Sequence, residues 1–190
     1  MALVGTAAWR EEIGSAEALV PRRARLFDLV VMGRSERVID QPFTDVLEDT
    51  LLNAGRPVLI APAHAPTELG ATVAIAWNGS AECARAVAGA MPLILRARAV
   101  HVLTAGDTAA AEGPALVKAL AWHGIPATAK SIAPMSGVGV GQQVLAAARE
   151  ENADLLVMGG YGKAPWREML LGGTTRQVIG TSMLPTLIAH

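Results

Sequence analysis

The chain has 190 residues, 52% of them hydrophobic, with a formal net charge of −1 and a mean hydropathy of +0.36. That composition excludes a disordered chain, and so small a net charge gives no electrostatic case for a nucleic-acid partner, whose binders carry a basic face or domain. The single cysteine, Cys83, cannot form an internal disulfide, so a reducing cytoplasmic setting is expected. No basic stretch precedes a long apolar core at the start of the sequence, so no secretory signal is read there. The longest apolar run, residues 86–95, is about half of what a bilayer span needs, so no membrane partner is expected.

In chain order, residues 8–13 are expected as a strand, 16–26 as a helix, 29–33 as a strand, 43–53 as a helix and 58–61 as a strand. A linker at 63–70, containing Pro66, follows. Residues 72–76 read as a strand, and Ser80 caps a helix whose apolar stripe is Cys83, Val87, Met91 and Ile94. Residues 99–104 are the next strand. A helix over 114–123 has Pro114 in its first turn and Gly124 as its C-terminal cap. A short strand at 127–132 precedes a helix at 139–151 that turns Val144, Leu145 and Ala148 inward. A strand at 154–159, a helix at 174–181 and a strand at 185–189 complete the series. Strands alternating with helices imply an α/β fold with a parallel sheet covered on both faces.

Two segments recur. Asp28-Leu29-Val30-Val31-Met32-Gly33 matches Asp154-Leu155-Leu156-Val157-Met158-Gly159 at an offset of 126. Residues 57–62 match 185–190 at an offset of 128. Their order and nearly equal offsets argue for duplication. The expected organisation is a partial copy at residues 1–66, lacking the first two strands, and a complete unit at residues 67–190. Without those strands, the segment at 8–13 has no neighbour. It must rearrange or be paired by another chain, since unpaired edges invite association.

The densest chemical signal lies near the C-terminus. An apolar strand ends in Gly159, Gly160 and Gly162, and Gly172-Gly173-Thr174-Thr175 precedes the next apolar helix. Bare backbone N–H groups at a glycine loop and a helix start suit an anion, most naturally phosphate. Lys163 and Arg167 stand inside that loop, where cations could screen phosphate charge or simply face solvent. Asn78 is read either as a partner of a ribose or base or as a helix cap. His64, His101, His123 and His190 are scattered without metal-ligand spacing. Cys83 reads as buried filler, and the glycine-rich residues 136–141 as a loop leading into a helix.

These residues resemble the universal stress protein family, particularly its tandem bacterial members. The family's loop is Gly, two residues, Gly, nine residues, Gly and then Ser or Thr. Gly159, Gly162 and Gly172 keep that spacing, while Gly173 replaces the hydroxyl residue and Thr174 and Thr175 follow. Where the family's first strand ends in Asp, one residue and Ser, this chain has Asn78-Gly79-Ser80. The resemblance implies an open five-stranded parallel sheet, order 3-2-1-4-5, in the second unit, with its ligand crevice between the first and fourth strands. It also implies one site for ATP or a related adenine nucleotide, formed by Ala76, Asn78, Val102, Met158, Gly159, Gly162, Lys163, Gly172, Gly173, Thr174 and Thr175. The Asn at 78 would weaken any Mg²⁺ coordination.

In the first copy, Arg34-Ser35-Glu36 replaces the glycine loop, and Glu48 and Asp49 are expected at the helix start, where they would repel phosphate. At most one nucleotide per chain follows. The last strands, Val58–Ala61 and Thr186–Ala189, are the expected pairing surfaces of a homodimer or an intramolecular pseudo-dimer. The reading is therefore a nucleotide-binding module of stress-response signalling, with at most slow hydrolysis, because no general base is placed to activate water. Its rival is a nucleotide-free dimerisation module of the same family, favoured by Gly173, Asn78 and the bulk of Trp77.

Overall fold

The computed structural model describes residues 6–34, 41–64, 67–106, 109–160 and 173–190. The elements are α1 (Ala16–Ala24), β1 (Val30–Gly33), α2 (Gln41–Asn53), β2 (Val58–Ala61), β3 (Thr72–Trp77), α3 (Ala81–Ile94), β4 (Ala99–Ala105), α4 (Ala109–Ala121), β5 (Thr128–Ile132), α5 (Val140–Glu150), β6 (Leu155–Gly159), α6 (Gly173–Thr181) and β7 (Thr186–Ala189). The seven strands among the described residues form one sheet, in the order β1-β2-β7-β6-β3-β4-β5. From β5 to β7 this is the expected five-stranded parallel arrangement, with β3 central and the order reversing between β3 and β6.

Local chemistry sets the element ends. The Ser80 hydroxyl accepts from the Cys83 amide at 3.2 Å and starts α3, whose Cys83, Ala86, Val87, Ala90 and Ile94 are buried. Helix α4 starts five residues before Pro114 and carries that proline inside it. Its alanine-rich beginning supplies the helix propensity that a reading keyed on proline overlooks. The Gly124 amide donates to the Ala121 carbonyl, and its φ of +73° closes the helix as expected.

Helices cover both faces. Ile75, Val87, Val102, Leu120, Leu155 and Val157 share one buried layer, and Leu47, Ile60, Leu103, Leu145, Leu156 and Met158 share the other. Strand β6 alternates between them and has four of its five residues buried, as a strand flanked by helices on both faces should.

The first sixty residues depart from two expectations. Residues 8–13 form no strand; Trp9 and Ile13 are almost wholly exposed, at 92% and 101%. No described strand forms a ladder with them. Glu48 and Asp49 lie in the middle of α2, not at its start, because that helix begins at Gln41.

Strands β1 and β2 repeat the geometry of β6 and β7. Val30 is level with Val58 and Gly33 with Ala61; Leu156 is level with Thr186 and Gly159 with Ala189. The flanking bonds correspond as well. Val30 N–H donates to Pro57 and Arg34 N–H to Ala61, as Leu156 N–H donates to Pro185 and Gly160 N–H to Ala189. The two pairs join through β2 and β7, which run antiparallel about a centre at Leu59 and Leu187. The last strands thus pair within one chain. Helix α3 reinforces this junction at Gly89, where an added Cβ would stand 2.8 Å from the Pro57 ring.

Candidate functional site

The crest between β3 and β6 is the place where ligands of open α/β sheets collect. Ala76 is level with Met158 and Leu103, and Trp77 with Thr104, so these strands end together. Beyond β6, Gly160 lies against the first turn of α6. A Cβ built on Gly160 would be 3.8 Å from the Thr175 methyl. The structure therefore brings Asn78, Gly159, Gly160 and Thr175 to one end of the sheet. Gly162, Lys163 and Gly172 of the expected set, and Arg167, lie outside the described residues.

Each described residue has a definite setting. Asn78 is exposed; its Oδ1 accepts from Ser80 N–H at 3.0 Å and from the Cys83 thiol at 3.1 Å, so it braces the start of α3. The Cys83 thiol also reaches the Ala76 carbonyl at 3.4 Å. Gly159 is needed for packing. A Cβ there would stand 2.6 Å from the Cys83 nitrogen, which no side chain tolerates without backbone movement. The Gly160 amide is already committed to the Ala189 carbonyl at 2.8 Å. Gly173 opens α6 with free space around it, Thr174 is half-buried, and Thr175 is buried. Met158 is buried in the face that α5 and α6 cover.

Val102 has its side chain wholly buried in the core, two residues before Thr104 at the crest, so the nucleoside contact expected of it would fall to its backbone.

Several groups at the crest were not anticipated from the sequence. The Glu112 carboxylate, from the first turn of α4, lies over Gly79; an added Cβ there would be 2.8 Å from Oε2. Gly79 itself has a φ of +72°, a conformation that favours glycine in the turn after β3. Arg85 Nε donates to the His190 carbonyl at 2.8 Å, and Arg85 Nη2 to Glu82 at 3.0 Å. His190 Nδ1 stands 3.3 Å from the Gly160 carbonyl. Glu82 is held below its ordinary value chiefly by its own backbone amide, with help from the Ser80 hydroxyl and Arg85 against desolvation. Trp77 Nε1 is buried without a hydrogen-bond partner among the described residues. The only sequence signal for Glu112 was its place shortly after a strand, which many surface acids share.

Among the described residues, no group of three or more His, Cys, Asp or Glu could hold a metal, and no helix is long and apolar enough to cross a membrane.

Comparison with known proteins agrees with this architecture. Residues 136–190 match the model of the Universal stress protein family. A curated universal stress protein of Synechocystis sp. is 26% identical over 176 residues, covering 85% of this chain and 57% of its own length. A solved universal stress protein from Archaeoglobus fulgidus shares the fold with a TM-score of 0.73 at 21% identity, over 91% of this chain and 64% of that one. A putative universal stress protein structure from Pseudomonas aeruginosa gives 0.63 at 17% identity, over 95% and 69%. The chain thus spans less than two thirds of the first two proteins' length. These matches bear out the resemblance to the universal stress protein family.

Proposed function

We propose that this relative of the universal stress proteins is a signalling module of the stress response that takes one adenine nucleotide, ATP or a close analogue, at the β3/β6 crest. The observation that carries this reading is the meeting of a glycine-ended strand with the first turn of α6 at the point where strand order reverses. The first turn of a helix leaves backbone N–H groups unpaired and carries positive potential, which favours phosphate. Asn78 and the Glu112 carboxylate supply acceptors for sugar hydroxyls beside it. Gly173, Thr174 and Thr175 would lie toward the phosphates, with Gly162, Lys163 and Gly172 completing the cradle. The role read here is binding, with at most slow hydrolysis.

Specific observations favour the nucleotide-free alternative. The Gly160 amide and Asn78 Oδ1 already have internal partners. Glu112 adds negative charge at the crest. Under that alternative the antiparallel junction of β2 and β7 is the functional feature, and the chain works as an assembly unit.

Titration calorimetry with ATP, ADP and AMP separates the two. The nucleotide reading expects saturable binding of one equivalent per chain and a raised unfolding midpoint. Absence of binding by all three would leave the assembly role.

A further inference from the structure

The glycine-rich residues 137–141 do more than lead into α5: they receive the first turn of α6. Gln177, half-buried on α6, reaches the start of α5. Its Oε1 accepts from the Gln142 N–H at 3.2 Å, an amide shared with the Gly139 carbonyl at 3.0 Å. Gly139, the N-cap of α5, brings no side chain to that helix end, so Gln177 supplies an acceptor from outside. The glycines make this approach possible. A Cβ on Gly139 would stand 2.5 Å from Gln177 Oε1. A Cβ on the buried Gly141 would stand 2.9 Å from the same atom and 3.0 Å from the Thr174 carbonyl. The buried Gln143 donates from Nε2 to the Val138 carbonyl at 2.8 Å and holds the segment ahead of α5 in place.

We propose that Gln177, Gly139 and Gly141 form a brace that fixes the first turn of α6, and that Gln177 is thereby a positioning residue for the phosphate end of the nucleotide; this rests on the nucleotide reading above. Helix α6 has nine residues, two of them glycine and three threonine. It is too short and too poor in helix formers to hold its shape alone in water. Packing must therefore set its position. Val178 is buried in the layer it shares with Val144 and Leu145 of α5, and the brace ties down the turn that carries Gly173, Thr174 and Thr175. That turn is where a helix presents N–H groups to an anion, and the bond weakens steeply when the donor points away. Donors already held in place also lose less freedom when the ligand arrives. Gln177 spends its side-chain oxygen on α5, so it acts through the turn.

The test is calorimetric titration of ATP and of adenosine into the full chain and its variants, at a temperature where all of them stay folded. Gln177→Met keeps the length of the side chain and removes its acceptor. Gly139→Ala leaves α6 unaltered and displaces the Gln177 amide, at a φ of −65° that alanine adopts freely. Each is expected to weaken ATP roughly tenfold, the effect of one hydrogen bond, and to leave adenosine within about twofold. The double variant is expected to lose no more than either single one, because both act through the same contact. Adenosine has no phosphate, so equal losses for the two ligands would show a general loosening of the crest and overturn the proposal. Additive losses in the double variant would overturn it too. ATP binding indifferent to Gln177→Met overturns the proposal and leaves the nucleotide reading standing. No ATP binding by the unaltered chain removes that reading, and the positioning role with it.

Discussion

Strands β1 and β6 run through nearly the same residues, Asp-Leu-Val-Val-Met-Gly and Asp-Leu-Leu-Val-Met-Gly, and each has an equivalent neighbour on one side. On the other side β6 meets β3 and α3, whereas no described strand pairs with β1. The same aspartate is a clamp on three amides in one place and a solvated acid in the other. The same glycine admits a helix backbone at 2.6 Å in one place and faces open space in the other. Sequence similarity therefore fixes a residue's capacity, and the neighbouring elements decide whether that capacity contributes to stability.

Matched substitutions sharpen this contrast. Asp154→Ala should cost about 3–4 kcal/mol, since three backbone donors lose a charged acceptor at the start of β3; Asp28→Ala should stay within about 0.5 kcal/mol. Denaturant unfolding of both variants measures the pair, and equal losses would erase the distinction. Gly159→Leu should cost roughly 3 kcal/mol through the clash with α3, and Gly33→Leu close to nothing in the free chain. Val157→Ala should lose about 2 kcal/mol of burial, while Val31→Ala should leave the unfolding midpoint in place.

The smallest effect is acid sensitivity at the start of α3. Glu82 is held below its ordinary value, so its contribution to stability is present above about pH 4.5 and is lost as pH falls through the lower folded-state value. Glu82→Gln should flatten the dependence of the unfolding midpoint on pH in that acidic range. An unchanged profile would remove Glu82 from the account.

Much of the fold was legible because hydrophobic period and turn residues agreed at most positions. Ser80, Gly124 and the buried residues of α3 and α5 stand where the pattern put them. The 8–13 segment misled because its apolar residues look like a strand, and whether a strand forms depends on a neighbour that the segment itself does not reveal. Helix α4 began early because alanine propensity prevailed over the proline signal. The crest was only partly legible. The glycines were visible, but whether Gly159 serves a ligand or a packed helix depends on a contact with Cys83, 76 positions away in sequence. Glu112 reached Gly79 through the topology, which no local pattern encodes.

The central claim is that two equivalent strands differ only in what lies beside them, and amide hydrogen exchange at matched positions tests it most directly. Val30 and Arg34 direct their N–H groups to β2, so Val31 and Gly33, one residue out of phase, direct theirs to the open edge. Val157 and Gly159 hold the corresponding positions toward β3. The account predicts exchange at Val31 and Gly33 orders of magnitude faster than at Val157 and Gly159 in the isolated chain. Comparable protection at all four amides would contradict it.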